Sequence, residues 1–249
     1  MRIGAQFYTI RAFCKTQDDF AESLKKVADI GYEYVQISGT CGYEAEWLKD
    51  ELKKNGLSCV LTHIGANKIT EDTETLIKEH NIFGCKHVGL GSYHINFDEG
   101  ETYDGFFKKF KTAAQVLKEN GKYFMYHNHA HEFKKIDGKT ILEHFAEGMD
   151  KDIMGFTLDT YWVQKAGADP AYWLEKLSGR IPCIHLKDQD YEGKMAVVGE
   201  GNINFDRVFQ MAEKGGTQFM LVEQDDCNGE DPFECLKRSY NNLKTMGFK

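Results

Sequence analysis

Short apolar segments rich in β-branched and aromatic residues alternate with longer segments of helical period along the whole sequence. The segments with strand character are residues 3–9, 32–38, 58–64, 86–91, 122–128, 154–160, 181–187 and 218–224. Such alternation is typical of a parallel α/β domain. Eight strand–helix units in 249 residues average about 31 residues each, the spacing of a compact (β/α)8 barrel. The sequence therefore predicts an α/β fold, a single (β/α)8 barrel domain that spans residues 1–249.

Helical segments are predicted between these strands, and several of them end at a glycine. The clearest cover residues 18–31, 45–56, 103–121 and 203–216. Glycine is the residue that most readily adopts the left-handed conformation that follows a helix. The predicted left-handed caps are Gly31, Gly56, Gly121 and Gly215.

Several function classes lack their signatures in this sequence. The turn after the first strand, FYTIRAF, has no glycine, and DGKT (137–140) has Phe133 where a phosphate-binding loop needs its first glycine. The net charge is -8 and the Lys and Arg residues are scattered, so no basic surface for nucleic acid is expected. The N-terminus lacks a secretory signal, and no stretch approaches the ~18 apolar residues of a membrane helix. We expect a cytoplasmic protein without a nucleic-acid or membrane partner.

Polar residues mark the ends of the last four predicted strands, where the active site of a (β/α)8 barrel lies. They are His127, Asn128 and His129 with Glu132 just beyond, then Asp159, then His185 and Lys187, then Glu223. Carboxylates neutralise the charge of a divalent cation, and imidazole selects a transition-type ion such as Mn, Co or Zn over Ca. The alternative interpretation is that each carboxylate caps the next helix or pairs with Lys187.

The stretch YHNHAHEF (126–133) contains four of these polar positions. Side chains alternate along a strand, so His127 and His129 share one face. We predict that Glu132 folds back over the barrel mouth as a metal ligand and that His129 carries a proton, because the usual imidazole pKa of ~6.5 suits proton transfer. His131 is interpreted as a loop histidine. His127 remains the alternative metal ligand.

Five motifs follow one another in the sequence: YHNHAHEF, GFTLDTYWVQKAGADP (155–170), IHLKD (184–188), VGEGNINF (198–205) and LVEQD (221–225). In these motifs the chain resembles the xylose-isomerase-like TIM-barrel superfamily, often called sugar phosphate isomerase/epimerase, in its inosose dehydratase-like branch. The resemblance implies a divalent metal ion (Mn, Co, Mg or Zn) bound by a glutamate, Asp159, His185 and Glu223. Isomerases of this superfamily usually have the first metal glutamate where this sequence has His127, and the nearest glutamate here is Glu132.

The resemblance also implies a metal-dependent enzyme that removes a proton next to a carbonyl of a small-molecule sugar or polyol derivative. A carbohydrate isomerase/epimerase is the first prediction, and a dehydratase or 3-keto-glycoside lyase is the alternative, because epimerases of this superfamily use paired glutamates. A non-catalytic sugar-binding barrel is a third hypothesis, and a homo-oligomer is left open. The predicted catalytic residues are His129, Glu223 and Lys187, the predicted metal ligands are Glu132, Asp159, His185 and Glu223, and the predicted substrate-binding residues are His127, His63 and Trp162.

Overall fold

The strands of the barrel are parallel and follow one another around it in chain order. The computed structural model describes residues 1–248, and within them the barrel consists of β1 (Arg2–Gln6), β2 (Tyr34–Ile37), β3 (Ser58–His63), β4 (His87–Leu90), β5 (Tyr123–His127), β6 (Met154–Asp159), β7 (Cys183–Leu186) and β8 (Phe219–Val222). Each strand pairs with the next, and β8 pairs with β1 to close the sheet. The predicted (β/α)8 barrel is confirmed.

Helices surround the barrel. Within residues 1–248 the α-helices are α1 (Gln17–Ile30), α2 (Ala45–Lys54), α3 (Ala66–Glu71), α4 (Thr73–Ile82), α5 (Tyr103–Glu119), α6 (Ile141–Gly148), α7 (Thr160–Lys165), α8 (Pro170–Lys176), α9 (Phe205–Lys214) and α10 (Pro232–Thr245). Short 3-10 helices cover Phe7–Phe13, Phe97–Glu99 and His131–Phe133. Two small hairpins pair Lys135–Ile136 with Lys139–Thr140 and Asp188–Gln189 with Met195–Ala196.

Three of the four predicted glycine caps adopt the left-handed conformation. Gly31, Gly56 and Gly121 have φ values of 119°, 67° and 73°. The prediction for Gly215 is wrong: its φ is -78°, and its N–H still donates to the carbonyl of Met211 in the last turn of α9. Gly216, with φ of 81°, takes the left-handed position one residue later.

The inside of the barrel is layered, because residues two apart along a strand point to the same side. One apolar layer consists of the buried side chains of Leu61, Met125, Cys183 and Leu221, which pack together with Val60. Two residues further along the same four strands, towards their C-terminal ends, stand His63, His127, His185 and Glu223. The apolar layer is therefore the floor on which a polar layer rests.

The cysteines are mostly residues of the core. All seven cysteines are free, and Cys14, Cys59, Cys85, Cys183 and Cys235 are buried. A buried free cysteine behaves as a small apolar residue of the core. Within residues 1–248, no helix combines the length and the apolar character that crossing a membrane requires.

Candidate active site

A cavity of about 560 Å³ opens at the C-terminal ends of the strands. His127 and Glu223 line its base beside Lys187, and the side chains further out include Tyr8, Arg11, Ser38, His63, His129, Trp162 and Asp225. The mouth of the barrel is therefore a polar chamber, as the strand ends predict for this fold.

Four buried side chains converge beneath this cavity, and two of them, His127 and Glu223, line it. His127 ends β5, Asp159 ends β6, His185 lies in β7, and Glu223 directly follows β8. One donor atom from each lies within 4.8 Å of all the others. His185 Nδ1 is 2.8 Å from Glu223 Oε2, and His127 Nε2 is 3.2 Å from Asp159 Oδ2. We call these four residues the ligand cluster.

The two histidines of the ligand cluster are each held in one tautomer. His127 Nδ1 lies 2.8 Å from the carbonyl oxygen of Gly91, which can only accept a hydrogen bond. The proton is therefore on Nδ1, and the lone pair of Nε2 faces the cluster. His185 Nε2 lies 2.7 Å from Gln36 Oε1, so the neutral ring carries its proton on Nε2 and directs Nδ1 at Glu223 Oε2, 2.8 Å away. Burial disfavours the charged ring, but Glu223 and Asp159 outweigh it and raise the pKa of His185, so a metal ion would compete with a proton for Nδ1.

The two carboxylates are oriented in the same way. Gln6 Nε2 donates to Glu223 Oε1 at 2.6 Å, and the backbone N–H of Trp162 donates to Asp159 Oδ1 at 2.9 Å. Asp159 thus caps α7 with one oxygen while its second oxygen, Oδ2, faces the cluster. Residues that bind metals characteristically have their second heteroatom held in this manner. Two imidazole nitrogens and two carboxylate oxygens, all oriented, fit a divalent ion of the Mn, Co or Zn type.

Lys187 compensates the carboxylates from the side. Its Nζ lies 3.1 Å from Asp159 Oδ2, 2.9 Å from Glu223 Oε2 and 2.9 Å from Asp225 Oδ1. Burial opposes the charged ammonium, but these three carboxylates outweigh it and raise the pKa of Lys187. In turn, burial would raise the pKa of Glu223, and the Lys187 ammonium overcomes that effect and lowers it. Burial and the nearby Glu223 raise the pKa of Asp225 to about 6.

Three more polar groups face the cavity with unused hydrogen-bonding capacity. Within residues 1–248, His63 Nε2, His129 Nδ1 and Trp162 Nε1 are buried atoms without a hydrogen-bond partner. Burial, and then the neighbouring His127, lowers the pKa of His129 to about 3 and also lowers the pKa of His63. Both imidazoles are therefore neutral near pH 7. A pKa of about 3 also departs from the ~6.5 on which the proton-carrier prediction for His129 rested.

Glu132 does not join the ligand cluster. It is fully buried, its Oε1 accepts a hydrogen bond from the Tyr126 hydroxyl at 2.7 Å, and its Oε2 accepts one from the backbone N–H of His129 at 2.7 Å. His131 Nε2 lies 3.1 Å from Glu132 Oε1. Tyr126 belongs to the outer face of β5, so its hydroxyl draws the carboxylate away from the mouth. Glu132 lies instead with His129 and His131 in a second group whose possible donor atoms are within 4.8 Å of one another, and the residue from strand five at the ligand cluster is His127.

Sequence reasoning missed the residues that orient the cluster. Gln6 and Gln36 stand within the apolar strand segments IGAQFYT and YEYVQIS, where a buried amide needs a partner. A polar amide at an inward position of an apolar strand is a signal that the sequence contains for both residues. Asp225 follows Glu223 by two residues, the spacing that returns a side chain to the same face of an extended segment.

Comparison with known proteins gives the family. A family model described as Xylose isomerase-like TIM barrel matches residues 24–243. The chain belongs to this family. It is 25% identical over 269 residues to an inosose dehydratase from Mesomycoplasma hyopneumoniae (strain 7448), a match that covers 91% of this chain and 88% of that protein. The resemblance seen in the sequence motifs is confirmed.

Solved structures of other proteins have a similar fold. A sugar phosphate isomerase/epimerase from Parabacteroides distasonis ATCC 8503 is 24% identical, with a TM-score of 0.85 over 99% of this chain and 94% of that one. The structure of the IolI protein with a bound zinc atom is 14% identical, with a TM-score of 0.74 over 100% of both chains. At these identities the likeness concerns the fold.

Proposed function

We propose that this protein is a divalent-metal-dependent enzyme that removes a proton next to a carbonyl group of a sugar or polyol derivative. The observation that carries the proposal is the ligand cluster itself. Its four donor atoms lie within 4.8 Å of one another, and each ligand is oriented by a contact on its far side. Such a set of oriented carboxylates and imidazoles is costly to bury unless it binds a cation.

The cavity above the cluster fits a ligand rich in hydroxyl groups. A hydroxyl both donates and accepts, so it can pair with the Trp162 Nε1–H, which only donates, and with either nitrogen of a neutral imidazole. His63 Nε2 and His129 Nδ1 supply those imidazole partners within the cavity wall. The names of the relatives, which include inosose dehydratase, support a polyhydroxylated ring as the substrate class.

The chemistry follows from the charges of the chain's own residues. A bound divalent ion would polarise the substrate carbonyl as a Lewis acid. Lys187, kept charged by three carboxylates, donates hydrogen bonds and stabilises negative charge that develops on the substrate oxygen. His129 is neutral, the form that a general base requires. Glu223, kept ionised by Lys187, is the alternative base.

We favour elimination over epimerisation as the outcome. An epimerase of the kind described by the resemblance places carboxylate bases on both faces of the substrate, and this ligand cluster offers Glu223 alone on the strand ends where the pair would stand. His127 is held by the Gly91 carbonyl through Nδ1 and faces the ligand cluster with Nε2, so it does not supply the second base. Isomerisation is the second candidate, supported by the fold likeness to a sugar phosphate isomerase/epimerase.

The test is proton exchange followed by NMR. The protein is loaded with a diamagnetic ion such as Zn²⁺ or Mg²⁺, because paramagnetic Mn²⁺ would broaden the NMR signals. It is then incubated in D2O with inosose and, separately, with a 3-keto-glycoside. We expect deuterium at the carbon beside the carbonyl together with a dehydrated or cleaved product. Exchange that yields only an epimer would select the isomerase, and a metal-loaded protein that gives neither exchange nor a dehydrated or cleaved product would contradict the proposal. Asp159→Asn should abolish the exchange, whereas Asp226→Asn, an exposed site, should not.

A further inference from the structure

Lys187 contacts carboxylate oxygens that would bind a metal ion at the ligand cluster. The Lys187 side chain is buried, with 1% of its surface exposed. Two of its three carboxylate contacts are to Asp159 Oδ2 and Glu223 Oε2, at 3.1 and 2.9 Å. These are the same two oxygens that face the interior of the cluster.

The ammonium and a divalent ion would compete for these oxygens. Asp159 and Glu223 would hold the ion through the same two atoms that contact Lys187, and two cations close together repel each other strongly in a buried site. Entry of an ion would therefore favour movement of the ammonium.

Asp225 offers the ammonium a second partner outside the cluster. Both of its carboxylate oxygens lie 2.9 Å from Lys187 Nζ, and its side chain is 23% exposed. The backbone around it is fixed, because Arg11 Nη2 donates to the Asp225 carbonyl at 3.0 Å. Lys187 can thus leave Asp159 and Glu223 and remain paired.

We propose that Lys187 is the counter-cation of the metal-free cluster and that Asp225 is the positioning residue that holds its ammonium when a divalent ion replaces it. This inference rests on the proposed metal-dependent function. Binding is then an exchange of one cation for another, so metal affinity depends on how well Asp225 receives Lys187. The displaced ammonium stays at the edge of the cavity, where it remains able to contact substrate.

A double-mutant cycle on metal affinity tests the exchange without measuring catalysis. Mn²⁺ is titrated calorimetrically into protein stripped with EDTA. Lys187→Met removes the competing cation and should tighten Mn²⁺ binding about tenfold, whereas Asp225→Asn leaves the ammonium on the cluster and should weaken it about tenfold. In the double variant, Asp225→Asn should have no further effect, since a residue that acts through Lys187 loses its influence with it.

The charge control is Asp226→Asn, which removes one negative charge from the neighbouring, exposed position. It should leave Mn²⁺ affinity within about twofold of the unmodified protein, because exposed charges are screened by salt. Equal affinities of Asp225→Asn and Asp226→Asn would overturn the inference, and this comparison stands even if Lys187→Met does not fold.

The remaining outcomes separate the inference from the function on which it rests. If the unmodified protein binds Mn²⁺ and Asp225→Asn weakens binding equally with and without Lys187, Asp225 acts by its own charge and only the inference fails. If the unmodified protein binds no Mn²⁺, the proposed function fails and the exchange fails with it. A second readout is thermal unfolding in EDTA, where Lys187→Met should lower the midpoint because Asp159 and Glu223 lose their counter-charge.

Discussion

At the scale of single residues, the candidate site depends on hydrogen bonds made outside the cluster. In each cluster residue, one side-chain heteroatom makes such a bond and thereby orients the other towards the cluster. The Gly91 carbonyl holds the proton of His127 on Nδ1, and Gln36 holds the proton of His185 on Nε2. Because one nitrogen of each ring is engaged, the other presents its lone pair in a fixed direction. Pre-oriented donors of this kind bind metals more tightly than free rings do.

Replacing His127 should weaken metal binding, whereas replacing Glu132 should reduce the stability of the fold. His127→Ala removes a donor of the ligand cluster and should weaken Mn²⁺ binding on the order of 100-fold or more, beyond the usual effect of outer contacts. Glu132→Gln should leave Mn²⁺ affinity nearly unchanged. It should instead lower the free energy of unfolding by about 1–3 kcal/mol, because glutamine has one acceptor oxygen at a buried site where the carboxylate accepts from both the Tyr126 hydroxyl and the His129 N–H.

Isothermal titration with Mn²⁺ and urea denaturation of both variants measure the two effects. If Glu132→Gln abolishes Mn²⁺ binding while His127→Ala retains it, the assignment of the strand-five ligand is reversed.

The sequence predicted three of the four cluster residues because strand ends are readable from apolar periodicity. Asp159, His185 and Glu223 each lie at or just beyond the end of a predicted strand. The choice between His127 and Glu132 could not be made from spacing. It depends on the Tyr126 hydroxyl, whose position behind β5 is fixed by packing against residues distant in sequence such as Phe106 and Phe145.

At the scale of elements, the long amphipathic helices were predictable and the short ones were not. The segments 18–31 and 103–121 agree with α1 and α5, since several turns of periodicity accumulate there. Helices such as α7, six residues long, begin at a cap supplied by a strand-end residue, Asp159. Their formation depends on the barrel around them more than on their own sequence.

Strand β4 carries a buried histidine that makes stability depend on pH. His87 Nδ1 donates to the Val60 carbonyl at 2.7 Å, and burial lowers the pKa of His87 to about 4. Below its unfolded pKa of ~6.5 the unfolded chain binds a proton that the folded chain refuses, so the stabilisation present above that pH is lost as the pH falls towards 4.

We therefore expect the stability advantage of the unmodified protein over His87→Gln to shrink by on the order of 3 kcal/mol between pH 7 and pH 4. Urea denaturation at a series of pH values, in EDTA, measures the difference. The histidines of the cavity titrate equally in both proteins, so their contribution cancels. A difference that stays constant over this range would show that burial of His87 does not shift its pKa.

At the scale of the whole molecule, barrel closure brings the two ends of the chain to one site. Gln6 of β1 orients Glu223 beyond β8, although 217 positions separate them, and Gln36 of β2 orients His185 of β7. Strand order could be predicted from the alternation of elements, since parallel strands joined by helices follow one another around a barrel. The register of the strands could not be predicted. It decides which inward side chains lie at the same level across the barrel, as Gln36 and His185 do.

The central claim is that His127, Asp159, His185 and Glu223 together hold one divalent ion. Equilibrium dialysis of EDTA-stripped protein against Mn²⁺, with the metal counted by mass spectrometry, tests it most directly. The account predicts about one ion per chain in the unmodified protein and in Asp226→Asn, and loss of that ion in Asp159→Asn. Absence of bound metal in the unmodified protein, or an undiminished ion in Asp159→Asn, would contradict it.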